Sequence, residues 1–216
     1  MSGFDSNLPV DHQAVRALGS RNDAEALKAL GAAASVNDQF LRRTAVEVIG
    51  RHPLGRELQA CILTALDDPS EYVVRTACDI VERWRLSEAR ELILPLLANA
   101  SGETRQHAIR ALGAIWGEQD FQLIFGIYTG DRAVDVRREA AWMLRRKATA
   151  ANWRMLFDAF RIDEPARHRQ WACKLAESFS GPEILPVLSP LLSDVDGHVR
   201  TAAARSTDVI SGRSNG

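Results

Sequence analysis

The sequence predicts an all-α protein, a right-handed α-solenoid of stacked antiparallel helix pairs in about six repeats. Two observations carry that prediction. An arginine recurs at Arg42, Arg75, Arg105, Arg137, Arg169 and Arg200, at intervals of 33, 30, 32, 32 and 31 residues. Three places after each arginine stands a small residue: Ala45, Cys78, Ala108, Ala140, Ala172 and Ala203. A period in this range marks supersecondary units that bury their apolar faces only by stacking on their neighbours. The small residue lets adjacent helix backbones approach closely.

The clearest copy is Asp131 to Arg146, DRAVDVRREAAWMLRR. Its offsets put Val136, Ala140, Met143 and Leu144 on one side of a helix. Six residues before the arginine, the last four copies carry Asn99, Asp131, Asp163 and Asp194, whose side-chain oxygens are suited to brace a helix start. The first two copies have Val36 and Pro69 there and lack that polar group. Regular stacking of the arginines predicts a structural ladder to the turn aspartates of neighbouring units.

Taken in order, residues 1–10 read as a flexible leader and residues 11–35 as an N-terminal capping pair. Its helices, Asp11–Leu18 and Asp23–Ala32, are split by Gly19-Ser20 and started by Asp11 and by Asn22 or Asp23 as caps. Residues 36–210 form the repeat domain, and 211–216 read as a disordered tail. First helices of the repeats are expected at Asp38–Gly50, Glu71–Trp84, Gly102–Trp116, Val134–Lys147, Pro165–Phe179 and Gly197–Ile210. Second helices are expected at Gly55–Leu66, Ser87–Ala98, Glu118–Tyr128, Asn152–Phe160 and Pro182–Leu192. Turn chemistry separates them: His52-Pro53, Asp68-Pro69, Gly117, Gly130-Asp131, Glu164-Pro165, Gly181-Pro182 and Asp196-Gly197. Pro95, Pro186 and Pro190 fall inside second-helix patterns and should kink them or shift their starts. Nothing pairs with the sixth first helix, which leaves a monomer, or a dimer through that uncapped C-terminal helix.

Composition narrows the function class. Of 216 residues, 46% are hydrophobic and 25% charged, and 27 basic against 28 acidic residues give a net charge of -1. That balance argues against wholesale nucleic-acid binding. There is no 18-residue apolar run to span a membrane and no secretory signal pattern. Cys61, Cys78 and Cys173 are odd in number and widely spaced, as expected of reduced core residues in a cytoplasmic protein.

Helix pairs near 32 residues long, with an aspartate in the turn and V-R-x-x-A-x-x-x-L in the first helix, resemble HEAT repeats. The short, alanine-rich form is most similar to the HEAT-like repeats named after phycobilisome lyases. Ala89–Ile115 and Asp131–Leu144 carry the resemblance best, and it extends over about Ser35–Ser206. Glu82, Ala176 and Thr207 depart from the leucine expected seven places after the arginine. The resemblance implies a solenoid. It leaves open a scaffold, a chromophore lyase or lyase-like chaperone, a DNA glycosylase of the alkylation-repair type, or an immunity-type protein.

Catalytic motifs are absent from the sequence: no H-E-x-x-H, C-x-x-C, P-loop or G-x-G-x-x-G is present. The five histidines never take zinc-ligand spacing with the cysteines. No catalytic residue, metal ligand or cofactor is expected. Gly212–Gly216 spells G-x-S-x-G only by letters, because a nucleophile elbow needs a strand before it and a helix after it.

Two candidate surfaces remain. On the helical wheel, Trp142 and Trp84 fall on the outward side, with Trp171 beside them, interleaved with Arg110, Arg138, Arg145 and Arg146. This outer ridge is either an interaction surface or a solvated face whose tryptophans are covered by the curl of the solenoid. The second candidate follows from the resemblance, which places the second helices on the concave face. There Glu57, Gln59, Arg90, Gln122, Arg154 and Asp158, with Thr64 and Glu91, are the polar groups offered to a partner. Their mixed charge fits a protein or peptide better than a polyanion. The expectation is therefore a non-enzymatic protein-interaction module, with a nucleic-acid-binding protein and a bilin lyase as alternatives.

Overall fold

A computed structural model describes residues 11–212. The leader assigned to 1–10 and residues 213–216 lie outside the described residues. Among the described residues there are thirteen α-helices, four short 3-10 segments and no strand. The chain divides into two compact units, residues 1–139 and 140–216.

In the first unit, α1 (His12–Leu18) and α2 (Ala24–Ala33) form the entry pair. Asp11 starts the first as expected, and of the two caps open to the second it is Asp23, not Asn22, that takes the place. Asp11 accepts from the Ala14 amide at 2.8 Å and Asp23 from the Ala26 amide at 2.9 Å, satisfying N–H groups that a helix start leaves without partners. The repeats follow as α3 (Gln39–Arg51) with α4 (Gln59–Ala65), α5 (Glu71–Trp84) with α6 (Arg90–Leu96), and α7 (Gly102–Ala114) with α8 (Asp120–Gly130). The first helices pack in series, α1 on α3, α3 on α5 and α5 on α7. Helices α2, α4 and α6 pack on α3, α5 and α7.

Helix α9 (Val134–Arg146) spans the division between the units. The second unit continues with α10 (Trp153–Phe160), α11 (Ala166–Phe179), the single turn α12 (Leu185–Leu188) and α13 (Gly197–Gly212). Here α10 packs on α11, and α11 and α12 on α13. Phe157 and Phe160 are fully buried, each contributing about 1.5–3 kcal/mol of transfer free energy.

All six small residues that follow the arginines are fully buried. The closeness they permit is visible at Gly50, where a Cβ would lie 2.5 Å from Cγ1 of Ile80 on α5. The first helices match their expected spans closely, although α7 stops at Ala114 and α13 runs on to Gly212.

The second helices differ more. Gly55–Leu58 and Ser87–Ala89 are 3-10 turns that precede shorter α4 and α6. Pro182–Ser193 is a 3-10 turn, α12 and a second 3-10 turn in succession. The prolines account for this last break. Pro182, Pro186 and Pro190 each sit in the first two positions of a segment, where the missing amide proton costs nothing. Pro95 is instead tolerated inside the last turn of α6.

Helix α5 ends on Arg85, in the left-handed conformation (φ 51°, ψ 51°). The Leu86 amide then closes onto the Val81 carbonyl at 3.2 Å, and Leu86 is buried, as in a Schellman ending.

Candidate interaction surfaces

The repeat arginines form the expected ladder. In Arg42, Arg105 and Arg169, Nη1 donates to backbone carbonyls five and six residues earlier. Nε and Nη2 grip the carboxylate of the next turn aspartate: Asp68, Asp131 and Asp194. Every gripping distance is 2.7 or 2.8 Å, the short range of charge-assisted bidentate pairs. The same carboxylates accept from the amides of Ser70, Ala133 and Asp196, bracing the turn before each helix.

Asp68 corrects one sequence expectation. The second repeat does have its turn carboxylate, displaced one residue to the N-terminal side of Pro69. The Arg105 and Arg169 guanidiniums hold the Asp131 and Asp194 carboxyls below the usual carboxylate range. Burial pushes Asp68 upward, but Arg42 and the Ser70 amide outweigh it and its net direction is also down. Elsewhere in the ladder Arg75 pairs with Glu103, and Nδ1 of His168 stands 2.7 Å from Asp163.

The outer ridge resolves into separate contacts. In the first unit Trp84 is half-buried beneath Arg56, whose guanidinium carbon lies 5.4 Å from the ring centroid. Arg138 pairs with Asp135 on the surface. Arg110 is a correction, because it is half-buried rather than on a wet ridge, and its Nε is buried without a hydrogen-bond partner. Near it stand Cys78, whose thiol burial pushes up to about 12, and Glu139, whose carboxyl is raised by burial against the opposing pull of Arg110.

In the second unit Trp142 is 36% exposed and carries Arg146 on its face at 4.4 Å. Trp171 is half-buried, stacked on His168 at 5.1 Å and tilted against Phe160 at 5.8 Å. Arg145 from α9 and Arg167 lie over its ring at 5.2 and 5.7 Å. These tryptophans are thus substantially engaged within the fold, with Trp142 the most open.

Of the second-helix candidates, Arg90 is another correction. It forms a bidentate pair with Asp120, 3.0 Å from Nη1 to Oδ2, and Asp120 is 1% exposed and also accepts from the Gly117 amide. This single tie between α6 and α8 is one that the sequence did not reveal, although the 30-residue separation was visible. Arg154 pairs with Asp158 at 3.0 Å, and Asp158 also takes Arg161 at 3.1 Å. Glu57 and Gln122 are exposed and Gln59 is partly so, reaching Glu88 at 3.4 Å.

A further feature of these helices was overlooked. Leu92 on α6 and Leu123 on α8 are 38% and 42% exposed, and Met155 on α10 is 36% exposed. They follow one another by 31 and 32 residues, the repeat period, which was the signal available in the sequence.

A cleft of about 450 Å³ lies elsewhere, lined by Asn37, Asp38, Phe40, Arg42, Pro69 and Ser70, and holds none of the candidate residues. Among the described residues no group of three His, Cys, Asp or Glu side chains is placed to hold a metal ion. No helix among them is long and apolar enough to cross a membrane.

Comparison with known proteins agrees with this geometry. Residues 60–145 match the HEAT repeat family. No curated protein matches the sequence. The archaeal HEAT-like repeats protein of Thermococcus onnurineus NA1 is similar in structure, with a TM-score of 0.55 at 14% identity, over 95% of this chain and 99% of that one. Two engineered proteins are similar at TM-scores of 0.52 and 0.54. Both are 17% identical over 94% of this chain, and the matches cover 97% and 66% of their own lengths. At these identities the likeness concerns the fold alone. Residues 60–145 match HEAT repeats, and the fold of the chain is that of an all-α, HEAT-like solenoid.

Proposed function

We propose that this chain is a non-enzymatic scaffold or regulator that holds a protein partner along its second helices. The observation that carries the reading is the repeat-spaced exposure of Leu92 and Leu123 within the first unit. Apolar side chains standing open at a fixed position in successive repeats are what a partner's own apolar residues would cover. Exposed Gln122 lies beside Leu123 on α8, and Glu57 and Gln59 add polar groups at the start of α4 in the same unit. The test is a pull-down from native lysate with wild type, Leu92→Glu/Leu123→Glu and Trp142→Ala/Trp171→Ala. A stoichiometric partner lost only in the leucine variant supports the reading. A partner lost only in the tryptophan variant moves the site to the outer ridge. Turnover by purified protein, abolished by a point mutation that leaves the fold intact, would end the non-enzymatic reading.

A second reading rests on a separate observation. Arg145, Arg146 and Arg167 lie on indole faces, and among the described residues none of the three has a carboxylate partner. Residues 140–216 carry 11 basic against 8 acidic residues, whereas 1–139 carry 16 against 20. Arginine and tryptophan together suit the backbone and bases of single-stranded nucleic acid. This reading requires binding that weakens steeply with salt, and salt-insensitive or absent binding removes it.

A further inference from the structure

Helix α13 repeats the first-helix pattern and leaves half of it open. Nη1 of Arg200 donates to the Asp194 and Val195 carbonyls at 2.7 and 3.1 Å, as Arg42, Arg105 and Arg169 do at their own helix starts. In those three arginines Nε and Nη2 hold a carboxylate of the next repeat. Among the described residues Arg200 has no such carboxylate, so its guanidinium is fixed along one edge and vacant along the other. Ala204, four places on, tells the same story. Its counterparts Val46, Ile109, Ala141 and Cys173 are fully buried, and in α5 the place is taken by Asp79, bonded to His107. Ala204 is exposed.

The exposed face is self-complementary. Asp208 is exposed and, among the described residues, has no basic partner. Arg200 and Asp208 stand four residues to either side of Ala204. Gly197 and Ser211 stand seven to either side, and Thr201 and Thr207 three. When two such helices run antiparallel about a two-fold axis, residues equidistant from the centre face each other. We propose that α13 pairs with α13 of a second copy of this chain about a two-fold axis at Ala204, placing each Arg200 against the partner's Asp208. The small residues at 197, 204 and 211 recur every seven positions and let the two backbones approach closely. A single pair of 16-residue helices, about 24 Å long, buries less than a permanent dimer requires, so the association is weak and concentration-dependent.

The test is sedimentation equilibrium of the 216-residue chain over a wide concentration range. It is run with wild type, Ala204→Arg, Asp208→Arg and the charge swap Arg200→Glu/Asp208→Arg, each with a thermal melt to confirm folding. Wild type should show a reversible monomer–dimer equilibrium. Ala204→Arg and Asp208→Arg should each weaken it by at least about tenfold, and the swap should recover most of the loss of Asp208→Arg. A monomer at every concentration overturns the proposal, as does a dimer indifferent to Ala204→Arg. Sensitivity to Ala204→Arg without sensitivity to Asp208→Arg also overturns the two-fold pairing, because some other carboxylate then sits on Arg200.

Discussion

Arg105 holds Asp131 from 26 residues away, with Nε and Nη2 each 2.7 Å from a carboxylate oxygen and both side chains almost wholly buried. Removing one partner of such a pair leaves the other charge buried and bare. Arg105→Ala should therefore cost about 3–5 kcal/mol. Arg200→Ala loses only bonds to two carbonyls at an exposed site and should cost about 1 kcal/mol. Urea denaturation at low protein concentration compares the two. Equal losses would mean that the Asp131 pair adds nothing beyond the helix-start bonds.

Gly50 and Gly126 should respond to alanine with opposite signs. Both lie within helices, where alanine is favoured by about 1 kcal/mol. A Cβ at Gly50 meets the buried Ile80 side chain at 2.5 Å, and overpacking of that kind costs about 1–3 kcal/mol, so the clash should win. A Cβ at Gly126 meets nothing within 4 Å, so Gly126→Ala should stabilise by about 0.5–1 kcal/mol. Melting temperatures that move in the same direction would contradict the packing described for α3 and α5.

The turn aspartates should make the fold sensitive to acid. Asp131 and Asp194 have folded-state pKa values below their unfolded ones, chiefly through Arg105 and Arg169. The stability they contribute is complete above the unfolded value, about pH 4, and is lost as pH falls through the folded value. Denaturation midpoints should be flat near neutrality and fall below about pH 4. In a variant with Asp131→Asn that decline should be shallower, and an unchanged slope would assign acid sensitivity to other carboxylates.

Glu139 should behave in the reverse sense. Burial raises its pKa despite the attraction of Arg110, so the fold disfavours its ionised form. Above the unfolded value the folded state therefore carries a penalty, which disappears at low pH where both states are protonated. Glu139→Gln should raise the melting temperature at pH 7 and change it little below about pH 4. A lower melting temperature at pH 7 would mean that the attraction to Arg110 outweighs the desolvation of the carboxylate.

What could be read from the sequence was what each helix settles alone or what the period repeats. The first helices, the buried small residues, the aspartate caps of α1 and α2 and the arginine ladder all fall in this class. The second helices were blurred because Pro186 and Pro190 restart the chain rather than kink it, a choice made by neighbouring backbone. Asp68 was missed because one extra residue shifts it out of register. Arg90 looked available because a helical wheel shows which side a residue faces, not whether Asp120 waits on the next helix. Arg110 was misread for the same reason: its outward offset does not reveal that Cys78 and Glu139 stand near it.

Each of Asp68, Asp131 and Asp194 serves two repeats at once, bracing the start of its own first helix and receiving the arginine before it. Peeling away the preceding repeat takes the arginine with it and leaves an unpaired carboxylate beside a helix start. Cutting the chain at a repeat boundary thus damages the remaining piece beyond the loss of the severed core. Repeats joined in this way are lost in runs rather than one at a time, and the length of the array itself becomes a determinant of how long any one repeat survives.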